Sequence, residues 1–164
     1  MNKKPELDFE KSRLEQASDV LALLGIAAFL VLILLYWTQL PATIPIHFDL
    51  KGNADGWGSK ATILVLPGIA IFIYLLMTLL ARSRQNFNYP VRITPENANR
   101  QYRLARHLLA VIKVAIVWGF LGLTWLILQA AGSQDPQLGA WPVIAFVGLI
   151  FAVIGGYLVM AFKK

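Results

Sequence analysis

Between the first two apolar runs of the chain stand His47, Asp49 and Asp55, with Asn53 beside them. A neutral imidazole and carboxylate oxygens are the ligand types of zinc or calcium, so these three are the candidate metal ligands. A histidine next to a carboxylate is also the pairing of a general base with the group that orients it. From Ile46 the sequence alternates, with Ile46, Phe48 and Leu50 on one side and His47, Asp49 and Lys51 on the other, the period of a half-buried strand. Gly52-Asn53 and Asp55-Gly56 are turn dipeptides that bring the chain back, so His47, Asp49 and Asp55 are expected to converge. The competing reading is that Asp49, Asn53 and Asp55 shape turns through bonds to the backbone, while His47 sits at the lipid headgroups. Asn53-Ala-Asp55-Gly56 echoes the middle of a calcium loop, but no acid stands in the closing position and an EF-hand is excluded. No Ser, Cys or Lys nucleophile has motif spacing to the pair, and Ser59 reads as a helix cap. Binding rather than catalysis is expected, with no cofactor.

Two further groups of charges invite a function. Lys113 lies about two turns inside an apolar run that starts near His107. An ammonium in hydrocarbon costs on the order of 3 kcal/mol on insertion scales, which makes Lys113 a functional candidate. At that depth its stem can also snorkel back to the phosphates, and snorkelling is the expectation. Arg100, Arg103, Arg106 and His107 form a basic sector before the same run. Anionic lipid is its expected partner, at about 1 kcal/mol per cation, with a cytoplasmic regulator as the other. Nucleic acid is not expected, because no readout or stacking residues are interleaved with the basic ones.

The elements that position these groups follow from composition. Of the 164 residues 57% are hydrophobic and 15% charged, and the mean hydropathy is +0.60, which defines an integral membrane protein. The absence of cysteine excludes disulfides, thiolate metal sites and cysteine nucleophiles. The net charge of +6 is placed beside the apolar runs. No Pro/Ser/Gly-rich linker divides the chain, so residues 1–164 are read as a single membrane domain.

Met1 to Ser18 is polar and mixed in charge, a short amphipathic or frayed tail. Residues 20–38 form the first span, long enough for a core that needs about 20 helical residues. Thr38-Gln39-Leu40 lacks a small-x-small cleavage site, so this run is expected to stay as an anchor. Pro41 and Pro45 forbid continued helix and force extended chain. Residues 61–81 form the second span, where Pro67-Gly68 is a site for a kink. Thr94-Pro95-Glu96 reads as a helix start, with Glu96 pairing Arg100 at i,i+4. That helix is expected to continue into the third span at 107–131, and the fourth lies at 142–162. The result is an all-α, four-transmembrane-helix bundle with a short extended extracytoplasmic loop.

Twelve of the fifteen Lys and Arg residues fall on the side of the termini and the 82–106 loop, and Lys51 and Lys60 fall on the other. The positive-inside rule then places both termini in the cytoplasm and the His47 loop outside. Small residues recur at helical spacing: Ala22 and Gly25 on the first span, Ala115, Gly119 and Gly122 on the third, and Ala145, Gly148, Ala152 and Gly155 on the fourth. Such stripes let helices approach closely in lipid, and the fourth span is expected to pack through its own.

The pattern Pro41-x-x-Ile44-Pro45-x-His47-Phe48-Asp49-x-x-Gly52-Asn53-x-Asp55-Gly56-Trp57-Gly58-x-Lys60 after a first membrane helix resembles the signature of the SdpI-like bacterial membrane proteins. Their N-terminal module is a domain of unknown function. The resemblance implies a multi-pass protein of the bacterial inner membrane, with a role in immunity to a secreted toxic peptide, in envelope-stress protection or in signalling. It implies ligand binding by Pro45, His47, Asp49, Gly52, Asn53, Asp55, Trp57 and Lys60. The alternatives from other classes are a small transporter component and a metal-dependent membrane enzyme using His47 and its carboxylates.

Overall fold

The computed structural model describes residues 10–82 and 87–163. The first half of the polar leader, with Lys3, Lys4, Glu6 and Asp8, lies outside the described residues, as do residues 83–86 of the basic loop and Lys164.

Helix α1 (Arg13–Tyr36) begins seven residues before the expected start at Val20. Ser12 and Glu15 form a capping box: the Ser12 hydroxyl accepts from the Glu15 N–H at 3.3 Å, and the Glu15 carboxylate accepts from the Ser12 N–H at 2.9 Å. Two orphan donors are satisfied at once, which turns a polar leader into helix. Glu15, Ser18, Ala22, Gly25 and Phe29, spaced three and four apart, are its buried stripe.

After Pro41 the chain forms an antiparallel hairpin of β1 (Thr43–Phe48) and β2 (Ala54–Ser59), paired from Thr43–Ser59 to Phe48–Ala54. The register slips on both sides of His47, and this bulge breaks the expected alternation. Ile44 and Pro45 are the buried pair, with Ile44 packed into a cluster with Leu40, Ile63 and Leu128. Ile46 is exposed, and Leu50, placed in the turn, is 95% exposed, so Ile46, Phe48 and Leu50 are not the seating face.

Ser59 caps the return, its hydroxyl accepting from the Ala61 N–H at 3.3 Å. One 3-10 turn, Lys60–Leu64, leads into α2 (Val65–Leu80). Pro67 thereby falls in the first turn of α2, where its missing N–H has no intrahelical partner to lose, so it marks a helix start and not a kink. Thr94 to Asn97 forms a turn, closed by the Ala98 N–H on the Thr94 carbonyl at 2.9 Å, before α3 (Ala98–Ala131) begins. At 34 residues α3 is about 51 Å long, more than a bilayer core requires. Helix α4 (Trp141–Phe162) follows. These four helices, the second taken with its 3-10 turn, are long and apolar enough to cross a membrane.

Helix α3 is the centre, packed by α1, α2 and α4. Gly25 lets α1 approach: a β-carbon there would stand 2.6 Å from Val117 Cγ1. Gly119 receives the Phe146 ring of α4 in the same way. The fourth span does not pack through its own small stripe, because nothing lies within 4 Å of a β-carbon built at Gly148 or Gly155, and Ala145 and Ala152 are exposed. Its large residues fill gaps on α3 instead, with Phe146 against Phe120 and with Tyr157 and Ala161 clustered around Ala105.

The two ends of the bundle are each tied together. At one end the Leu138 N–H donates to the Gly52 carbonyl at 2.7 Å and the Ala54 N–H to the Pro136 carbonyl at 3.2 Å. At the other, Ser12 Oγ lies 3.1 Å from His107 Nε2 and the Arg100 guanidinium reaches the carbonyls that end α4. The hairpin and the 132–140 loop therefore share one end, as four crossings require.

Candidate functional site

The hairpin is built by a bulge and a tight turn. His47 pairs across the strands with Gly56, where a β-carbon would come 2.8 Å from that of His47. This leaves room for the imidazole to meet the next carboxylate, and His47 Nδ1 lies 2.5 Å from Asp55 Oδ1, both side chains being exposed. Asp49 does not join them. Its Oδ1 accepts the N–H groups of Lys51 and Asn53 at 2.8 and 2.9 Å, and its Oδ2 accepts from the Asn53 amide at 3.2 Å. The Asn53 N–H foremost, and then the other turn donors, hold the Asp49 carboxyl below the usual aspartate value. Three-fold convergence of His47, Asp49 and Asp55 is thus corrected to a pair plus a turn former. Among the described residues no group of three or more His, Cys, Asp and Glu could hold a metal ion.

Gly52 has φ +91° and lies against the Leu138 carbonyl, where a side chain would be strained by conformation and by contact alike. Asn53 faces Gln137 in an isolated bridge, so the third loop extends the hairpin edge. Lys60 donates to the Trp37 carbonyl at 3.1 Å with its ammonium 4.8 Å from the Trp37 ring centroid, tying the hairpin to the end of α1. Trp57, paired across from Pro45, is exposed with Ile46 and Leu50. The surface so formed can bind through an imidazole–carboxylate pair set among apolar side chains.

At the opposite end the charges are turned inward. Arg106 Nε meets Glu15 Oε1 at 2.5 Å with both side chains buried. Lys113 is 6% exposed and pairs with Asp19, its ammonium 3.4 Å from the Thr78 hydroxyl and 5.2 Å from the Tyr74 ring centroid. It does not snorkel, because a carboxylate from α1 meets it inside the bundle. Lys11 takes the other oxygen of Asp19 at 2.7 Å. These groups line a cavity of about 240 Å³ between α1, α2 and α3. The expected basic sector is therefore divided: Arg103 is exposed, Arg106 is internal, and Arg100 donates to Met160 and Lys163 carbonyls rather than pairing with Glu96.

Sequence reasoning missed Glu15, Asp19 and Thr78. A signal was present in the three-and-four spacing of Glu15 and Ser18 ahead of Ala22, Gly25 and Phe29, which continues the small stripe backward into the polar leader.

Fold and sites together define a multi-pass helical membrane protein with an extramembrane hairpin at one end and a charged cavity at the other. Residues 23–71 match the family model described as "Domain of unknown function (DUF1648)", a segment running from within α1 through the whole hairpin into α2. An uncharacterized protein of Archaeoglobus fulgidus is 32% identical over 149 residues, 81% of this chain and 78% of its own length. The chain belongs to the same family as that archaeal protein. No solved structure matches it.

Proposed function

We propose that this is an SdpI-like protein of the bacterial inner membrane, acting in immunity, envelope-stress protection or signalling by binding an extracytoplasmic ligand through the 41–60 hairpin. The observation that carries the reading is a fixed hairpin with an unfilled polar pair: Ile44 and Lys60 anchor it, Gly52 clips it to Leu138, and His47–Asp55 is left exposed beside Ile46 and Trp57. A preorganised surface of this kind loses little entropy on binding. A secreted, membrane-active peptide suits it, having apolar side chains for Trp57 and Ile46 and backbone or charged groups for the pair. Arg103, the residue of the expected basic sector left exposed at the opposite end, is the contact offered to a cytoplasmic regulator or to lipid.

Expression in a sensitive bacterium is expected to raise survival against such a peptide. His47→Ala combined with Asp55→Ala is expected to remove the protection at unchanged protein level in the membrane, since neither side chain is part of a buried core. Equal killing of expressing and non-expressing cells by a panel of membrane-active peptides would end the immunity reading.

A further inference from the structure

Among the described residues the cavity at the α1 end is not balanced in charge. Four cations, Lys11, Arg82, Arg106 and Lys113, line it with two carboxylates, Glu15 and Asp19. The inner half is neutral, because Arg106 is matched to Glu15 and Lys113 to Asp19. Lys11 is a second cation on a carboxylate already engaged, and more than half of its side chain is exposed. Arg82 stands exposed at the cavity wall and forms no ion pair with a described carboxylate. Among the described residues two positive charges are thus in excess at the outer part of a partly enclosed space, where water screens them less than on an open surface. Ion pairs serving only to stabilise the bundle would close one to one.

An anion of the right shape would complete this arrangement. Lysine offers three donors and arginine a planar fork, and together they match the several oxygens of a phosphate group. Apart from the Thr78 hydroxyl the rest of the wall is apolar, with Met77 and Leu109 beside the cations, and the cavity opens at the end of three membrane-crossing helices. We infer that the cavity between α1, α2 and α3 is a binding site for a phosphate-bearing anion, held by Lys11 and Arg82 over the neutral Arg106–Glu15 and Lys113–Asp19 pairs. The phosphate comes from a phospholipid headgroup or from a soluble phosphate. This site is separate from the hairpin and does not depend on the function proposed for it.

The full chain, purified in detergent, is to be mixed with phosphatidylglycerol or with phosphatidylcholine, and bound lipid counted by native mass spectrometry. Inorganic phosphate serves as the soluble probe, followed by its phosphorus resonance. One phosphatidylglycerol per chain is expected in preference to phosphatidylcholine. Lys11→Ala and Arg82→Ala are each expected to weaken binding about fivefold, and together roughly thirtyfold. Arg92→Ala, an exposed cation that does not line this cavity, is expected to leave it unchanged. Binding of inorganic phosphate with the same dependence on Lys11 and Arg82, in place of the lipid, assigns the soluble source and keeps the site. The inference is overturned if neither probe binds, or if Arg92→Ala costs as much as the double variant. Detergent melting of the Lys11 and Arg82 variants checks that the fold persists, as expected for two exposed side chains.

Discussion

The two ends of this bundle use the same residue types in opposite ways. At the hairpin, a histidine and an aspartate meet in the open, and a second aspartate is spent on its own turn. At the other end, aspartate and glutamate are drawn between helices to meet lysine and arginine out of water. An exposed pair contributes little to stability and remains available to a ligand. A buried pair is costly to disrupt, because removing one partner leaves a charge with no compensation. The contrast separates recognition from architecture: the hairpin presents its polar groups, and the inner end consumes most of its own to hold α1 against α3.

The comparison is broken most completely if the ends do not lie on opposite sides of the membrane. Single cysteines introduced at Asn53 and at Asn88 into this cysteine-free chain are expected to label oppositely with an impermeant thiol reagent in intact cells, Asn53 outside and Asn88 inside. Equal labelling of both would remove the assignment of sides.

A smaller but still large effect is expected from the buried carboxylates. Glu15→Ala removes the buried carboxylate that the Arg106 guanidinium meets and is expected to destabilise the bundle by roughly 3 kcal/mol, while Glu15→Met with Arg106→Met stays near the parent. Detergent melting measures this. A single variant as stable as the parent would show that the pair is solvated and that the two ends are alike.

The smallest effect sharpens the role of Asp49. Its folded pKa is depressed, so the carboxylate stabilises the turn fully above the ordinary aspartate pKa and loses that contribution as pH falls through the lowered value. Hydrogen exchange at the Asn53 N–H, which Asp49 accepts, is expected to lose protection below about pH 4 and in Asp49→Ala at neutral pH. Protection that ignores both changes would free Asp49 to be counted again with His47 and Asp55.

Four spans, the extended segment after Pro41 and the return at Gly52-Asn53 were legible, because hydropathy, proline and turn dipeptides act over a few residues. The His47–Asp55 pair was legible for the same reason. Where Asp49 points was not, since the choice between its own backbone and a neighbour's ring is set by the bulge at His47. Hydropathy alone places the start of α1 too late, because the Ser12–Glu15 capping box begins the helix in a polar stretch whose Glu15 and Asp19 meet Arg106 and Lys113 from 91 and 94 residues away. The stripe on α4 was misread because small residues permit close approach without requiring it, and the partner surface on α3 selected Phe146 instead.

The bonds between residues 52–54 and 136–138 bear on how the chain is made. Synthesis delivers α1, the hairpin and α2 first, and the loop segment 136–138 reaches the same side of the membrane only after α3 has crossed. Until then Gly52, held at φ +91°, has no carbonyl neighbour from Leu138, and the hairpin edge stays open. Closure of that edge joins the hairpin to the loop that follows α3, so the finished hairpin records that the third crossing has been made.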